Sequence, residues 1–428
     1  MGSSTDLTID GYQILETKSY VIPEVMTLFQ ESDKRIVTRK SSERNHLVEE
    51  GINLDDEDQD EVVVTYRCEV AKVIDRLGVM GFTMRRLRDD FEAARQSEVE
   101  KYTAWLGDDD DGWCRDDLDY FTKLTFDSYA EALRTVLTQR IRARSVSQLT
   151  TDLGPIEQRI IGDNDDYFFG FPCADFRSFI RLACELVPKN SEVVQDISEL
   201  VYAGYYEEGE PVCANSTRAL TARQPENSAR IILTEGSTDV EILREALALL
   251  YPHLFGYYTF LDFASSRPQG GAGSLVTTLK AFAAAGIANR IIAVFDNDTA
   301  AFDARRSLAS IQLSQNIAVC SYPDLSSLEA YPTLGPSGLV PLNVNGLAAS
   351  IELYLGKDVL ANGEDFPVQW KGYVESVGKY QGEVMHKARL QEKFREKVAR
   401  CRSSEEERSR CDWLGLSAIL EVIFHAFD

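Results

Sequence analysis

The sequence predicts an α/β protein built around a parallel sheet, and three observations carry that reading. Two apolar, strand-like runs end abruptly in acids, IILTEGSTD at 231–239 and RIIAVFDND at 290–298. Stretches of helical periodicity lie between and after them, and strands alternating with such helices call for βαβ crossovers. The chain has 428 residues, 44% of them hydrophobic, enough for two or three domains with real cores.

Taken in order, IILTEG reads as a strand and VEILREALALL as the helix that begins near Thr238. YYTFLDF reads as a second strand, and GSLVTTLKAFAAAG as a second helix stopped by Gly286. RIIAVFDND is the third strand, DARRSLASIQL a helix, and IAVCSYP the fourth strand. Upstream, LTIDGYQILETKSYV alternates as one or two strands with a turn at Gly11. The polar stretch from Glu31 to Asp60, with its LDDEDQDE run, has the composition of a solvated loop. From Val70 helical periodicity takes over, and FRSFIRLACELV and EVVQDISELVYAGYYEEGEPV also read as helices. The polar TARQPENSAR, with Pro225, marks a linker. The expected parts are a mostly helical region with a short β start at 1–225, the α/β unit at 229–325 and a helical extension at 326–428.

Charge narrows the function classes. The net charge of −24 disfavours non-specific contact with nucleic acid or anionic membranes. Any nucleic-acid activity needs a locally basic strip, a bound metal or a partner. Eight cysteines without a CxxC pair read as reduced thiols. No apolar run reaches the ~18 residues of a membrane helix, and Asp6 stands where a myristoylation signal wants Ser or Thr. The expectation is a soluble, cytoplasmic protein.

The acids carry the chemistry. Glu235 and Asp239 follow the first strand, Asp296 and Asp298 the third, and the C-terminal ends of parallel strands form the crevice where such sheets bind ligands. Carboxylates gathered there repel by roughly 4 kcal/mol per pair at about 4 Å and an effective dielectric near 20. Mg²⁺ or Mn²⁺ relieves that repulsion and suits hard oxygen ligands. The competing reading is that acids at helix starts are caps. A second DND string, Asp163–Asp165, follows no sustained strand and reads as a turn.

Further candidates are Gly271, Gly273 and Ser274, which with Gly270 lie between a strand and a helix where backbone N–H groups suit a phosphate. Asp262 reads as a strand-end acid and Thr299 as a helix cap. Glu352, in ASIELYLG, is a further metal candidate or the polar side of a helix. The one sustained basic stretch runs from Lys371 to Arg410. Within it Lys371, Lys387, Arg389 and Lys393 are the expected nucleic-acid contacts, with Trp370, Tyr373 and Tyr380 as rings for base stacking.

EGSTD after one strand and DND after a later one resemble a Toprim domain, a Rossmann-like parallel-sheet fold, over Arg230–Pro323. The resemblance implies that Glu235 is a general acid or base on a phosphodiester and that Asp296 and Asp298 hold Mg²⁺. Asp239 matches the second acid of the ExxxD arrangement in the overcoming-lysogenization-defect nucleases, which implies a second metal. Related nucleases place another acid where Glu352 stands. Through TIDGYQILETKSY, ESDKRI, FRSFIRLACELVP, VNGLAASIELYLG and PVQWKGY the whole chain resembles the bacterial HEPN/Toprim-associated family. That implies a metal-dependent endonuclease in antiphage defence, with RNA, transfer RNA among the options, favoured over DNA.

Two alternatives stay open: a non-catalytic sensor or scaffold that binds a nucleotide, and a metal-independent HEPN ribonuclease. The latter needs an Arg–His pair such as Arg39 and His46 on a helix. A homo-oligomer, a phage-encoded trigger and a partner protein of the same system are likewise open.

Overall fold

The computed structural model describes residues 3–40, 60–108, 114–142, 153–162, 168–223, 227–261, 270–309, 311, 313–361 and 366–428. The acidic run at 54–59, His46, the DND string at 163–165, the linker residues 224–226 and Asp262 lie outside them. The chain divides into two units, Met1–Gln224 and Pro225–Phe427, with Asp428 grouped apart from the second.

The first unit is more β-rich than its helical periodicity suggests. Strands β1 (Ser4–Ile9), β2 (Tyr12–Lys18), β3 (Lys34–Lys40), β4 (Asp60–Glu69) and β5 (Glu192–Asp196) form one antiparallel sheet in the order β2-β1-β5-β4-β3. The stretch EVVQD, expected as helix, is thus the sheet's central strand. Val193 is fully buried there, in register with Ile9 on one side and Cys68 on the other. Helices α1 (Val70–Val79), α2 (Met84–Asp108), α3 (Phe126–Gln139) and α4 (Phe176–Leu186) share a core with the sheet, rich in Phe91, Tyr129, Phe171 and Phe179. Asp175 caps α4 by accepting from the Arg177 N–H at 2.9 Å. Arg76 is buried and donates to Asp33 and to the Leu28 carbonyl, which removes the cost of an unpaired internal charge.

The second unit holds the parallel sheet. Strands β6 (Arg230–Leu233), β7 (Tyr258–Phe260), β8 (Ile291–Phe295) and β10 (Ile317–Ser321) pair in parallel in the order β10-β8-β6-β7. Every residue of β8 is buried, as expected of an inner parallel strand covered on both faces. Leu233, Ile291, Ala293 and Phe295 meet α6 (Ala272–Ala284) and the start of α7 (Thr299–Arg305). Their alternates, Ile232, Ile292 and Val294, point to the other face. Helix α5 (Ser237–Leu250) packs with the C-terminal helices α8 (Lys387–Ser403) and α9 (Leu414–Phe424). Gly286, at φ +64°, follows α6 where the sequence marks a stop.

The C-terminal part is not a purely helical extension. Strands β11 (Tyr331–Gly335), β12 (Gly338–Leu342), β14 (Val368–Val374) and β15 (Lys379–Val384) form a second sheet in the order β12-β11-β14-β15. Two residues after β8, the short β9 (Asn297–Asp298) pairs with β13 (Ala348–Ala349). These segments belong to the same unit as the parallel sheet. Among the described residues no helix is long and apolar enough to cross a membrane.

Candidate active site

Strand register places the acids. Leu233 lies beside Ala293, and Phe295 beside Ser321, so the residues that follow β6, β8 and β10 emerge at one sheet edge. There the Asp296 N–H donates to Glu235 Oε1 at 3.0 Å. Asp239, one helical turn beyond Glu235, is buried and accepts from the Gly236 N–H at 2.9 Å through Oδ2. The pairing of β9 with β13 sets Asp298 beside Ala348 and leads the chain into the turn that carries Glu352.

Electrostatics reports the convergence. Burial, and then the charges of Asp239, Glu235, Asp298 and Glu352, push the Asp296 carboxyl well above its ordinary range. Burial raises Glu235 to about 7, with Asp298 adding to the rise and the N–H groups of Asp296 and Ala272 opposing it. Burial, Glu352 and Glu235 bring Asp239 to about 7 as well. The other four predicted acids therefore all act on Asp296. Tyr322, at the end of β10, is buried beside them, and burial followed by the same charges raises its phenol.

Glu235, Asp239, Asp298 and Glu352 each accept at least one hydrogen bond. Asp298 caps α7 through the Ala301 N–H at 2.7 Å and accepts from the Gln381 side-chain amide at 2.9 Å. Glu352 is 4% exposed and accepts from Ser350 Oγ at 2.7 Å and Gln391 Nε2 at 2.9 Å. Asp296 is the exception: its Oδ1 is out of contact with solvent and has no hydrogen-bond partner. Among the described residues no set of three or more His, Cys, Asp or Glu stands ready as it is to hold a metal ion.

Lys387, at the start of α8, is the cation of the site, 3.8 Å from Glu352 and 3.5 Å from Glu383. Burial works against its charge, but Glu352, Glu383 and Asp296 outweigh burial and raise its pKa.

The glycine turn is tied to the acids. The Gly271 N–H donates to the Glu235 carbonyl at 2.7 Å, and the Ala272 N–H is directed at the Glu235 carboxylate. Gly271 adopts φ +100°, which favours glycine. The Ser274 N–H is spent on the Gly271 carbonyl at 3.0 Å. Gly271 and Ser274 thus support Glu235 and the first turn of α6, where the sequence suggested an open cradle with Gly273 for phosphate.

The expected basic strip is mostly neutralised. Lys393 is buried, with its ammonium 4.8 Å from the centre of the Phe366 ring, and so is not a surface contact. Leu390, Lys393, Phe394, Lys397, Val398 and Cys401 form the buried stripe of α8, and Lys393 falls on it at helical spacing. Arg389 pairs with Glu392 at 2.6 Å and Lys371 with Glu383 at 3.4 Å. Arg39 lies on β3 rather than on a helix, beside Glu61 at 3.8 Å.

Sequence reasoning missed Gln381, Gln391, Ser350 and Tyr322. Tyr322 had a signal, since it follows a parallel strand at the same edge as the acids. The two glutamines had none, lying 83 and 39 positions from the acids they hold.

Residues 1–220 match the family model described as HEPN/Toprim N-terminal domain 1, which spans more than half of the 428 residues. No curated protein and no solved structure matches the chain. The matched part covers the antiparallel unit, and the acids follow it in the second unit. The chain belongs to the HEPN/Toprim-associated family.

Proposed function

We propose that the chain is a divalent-metal-dependent nuclease whose active site is the acidic crevice of a Toprim domain. The observation that carries this reading is the convergence of Glu235, Asp239, Asp296, Asp298 and Glu352 around an Asp296 oxygen that no donor satisfies. Hard carboxylate oxygens, mutual repulsion and that orphaned oxygen fit Mg²⁺ or Mn²⁺. Asp296 and Asp298 would hold the cation, with Asp239 and Glu352 available to a second. When bound, it supplies charge neutralisation and Lewis-acid polarisation of a phosphodiester.

The chain's own residues do the rest. Glu235, poised at about 7, gives up and regains a proton near neutral pH, which suits a general acid or base. The Asp296 N–H fixes its Oε1, and the Gly271 N–H fixes its backbone. Gln381 and Gln391 hold Asp298 and Glu352, and Lys387 balances part of the negative charge. Family context supports RNA over DNA as substrate and a role in antiphage defence, with a phage-encoded trigger or a protein of the same system as partner.

Incubating the full chain with labelled RNA and DNA in Mg²⁺, Mn²⁺ or EDTA tests the reading. Cleavage is expected with either metal and not in EDTA. Glu235→Gln or Asp296→Ala is expected to reduce it by about a hundredfold or more while the circular dichroism spectrum stays the same. Undiminished Mg²⁺-dependent cleavage by the Asp296→Ala/Asp298→Ala variant would refute the assignment. A second reading, a non-catalytic sensor or scaffold that binds a nucleotide, is favoured by the ion pairing that occupies Lys371, Lys387 and Arg389. Absence of cleavage under every metal condition selects it.

A further inference from the structure

Beside the acids, the β14–β15 hairpin exposes rings that the second unit's core does not use. Tyr373 and Tyr380 are paired across the two strands and meet edge to face, with ring centres 5.1 Å apart. They are 54% and 57% exposed. Trp370, half-buried, continues the row edge to face with Tyr380, ring centres 6.3 Å apart. Gly372, between Trp370 and Tyr373, adds no side chain to the row, and the β14–β15 register shifts there.

The hairpin is hydrogen-bonded to the candidate active site. Thr299 Oγ1, at the start of α7, donates to the Tyr380 carbonyl at 2.7 Å. The next residue, Gln381, accepts from the Ala300 N–H at 2.8 Å and donates to Asp298 at 2.9 Å. Successive strand residues face opposite ways, so Gln381 turns to Asp298 while Tyr380 offers its ring outward. Lys379 adds positive charge at the same place. Its ammonium lies 4.5 Å from the centre of the 44% exposed Phe302 ring, and among the described residues it has no carboxylate partner.

We propose that Trp370, Tyr380 and Tyr373 form a stacking platform for single-stranded nucleic acid, delivering the strand across the edge of β15 to the acids. The inference rests on the nuclease reading and adds the substrate's form. Rings stack on any unpaired base, whereas a duplex keeps its base faces buried against one another. Stacking also needs little net positive charge, which suits a chain of net charge −24. Lys379 supplies the local attraction for phosphate that the paired cations of α8 do not.

The test is binding of the full chain, in EDTA so that nothing is cut, to a labelled mixed-sequence RNA, the matching single-stranded DNA and the duplex of that DNA, read by fluorescence anisotropy. Both single strands are expected to bind at least about tenfold more tightly than the duplex. Tyr373→Ala and Tyr380→Ala should each weaken single-strand binding by about tenfold and leave duplex binding unchanged. Tyr373→Phe and Tyr380→Phe should retain it, because the ring and not the hydroxyl is used. Equal affinity for duplex and single strand, or alanine variants that bind as the parent does, would overturn the platform. So would the absence of nucleic-acid binding, which assigns the face to a protein contact. These outcomes are separable from the nuclease reading. Asp296-dependent cleavage with unaffected alanine variants removes the platform alone, and ring-dependent binding without any cleavage removes the nuclease alone.

Discussion

At the scale of single residues, the acids are held at a cost that pH exposes. Glu235 and Asp239 stand at about 7 in the folded chain, against about 4 for exposed carboxyls. The folded state thus binds more protons than the unfolded one between these values, and stability falls as pH rises through that interval. This contribution is present in full below about pH 4 and gone above the folded pKa near 7. In EDTA, the thermal midpoint of the parent is expected to drop more between pH 5 and pH 8 than that of a Glu235→Gln/Asp239→Asn variant. Mg²⁺ should restore the parent at pH 8 and do little for the variant. Parallel midpoint curves would show that the acids are not electrostatically strained. The places of Glu235 and Asp296 at strand ends were legible, because each closes an apolar run in the sequence. Gln381 and Gln391, the amide partners of Asp298 and Glu352, were not, since a neutral polar residue distant in sequence carries no mark of what it touches.

At the scale of elements, α8 shows how a charged sequence conceals a packed face. Lys397 is fully buried on it and donates to the Leu355 carbonyl at 2.8 Å and to Asp358 at 3.0 Å. It lies 4.1 Å from the centre of the Trp413 ring. Removing one member of a buried charged set leaves the others unpaired. Lys397→Ala is therefore expected to destabilise the chain by about 3–5 kcal/mol in urea titration. Lys371→Ala, at an exposed pair, is expected to change stability by no more than about 1 kcal/mol. Equal effects would mean that burial does not separate the two lysines. The stripe from Leu390 to Cys401 was present in the sequence, but its lysines read as surface charge. The βαβ order of the second unit was legible because its parallel strands are mostly apolar runs separated by helical periodicity. The β14–β15 hairpin was not, since its Lys, Gln and Glu residues dilute the alternation, and EVVQD in the first unit was too short to resist a helical reading.

For the whole molecule, the question is how a chain of net charge −24 meets a polyanion. Three exposed arginines of α8 pair with acids of their own unit: Arg395 with Glu241 at 2.7 Å, Arg389 with Glu392, and Arg402 with Glu245. Among the described residues, these arginines are thus not free to displace the counterions of a bound strand. A plot of log affinity against log salt for a single-stranded oligonucleotide should have a slope of only about −1 to −2. A slope steeper than about −4 would require several phosphate contacts that these pairs do not leave available. The family assignment rests on the first unit and the acids lie in the second, so the fold of one and the chemistry of the other are separate properties of the chain.

The double engagement of Asp298 has a consequence for observing the crevice. One of its oxygens secures the opening turn of α7 and the other anchors the β15 amide, so a cation that recruits this carboxylate draws electron density from an oxygen already accepting one of those bonds and weakens it. The backbone proton of Ala301 then serves as a built-in gauge. Its exchange into deuterated water should accelerate on adding Mn²⁺ to the full chain, while Asp298→Asn should render it insensitive to the metal.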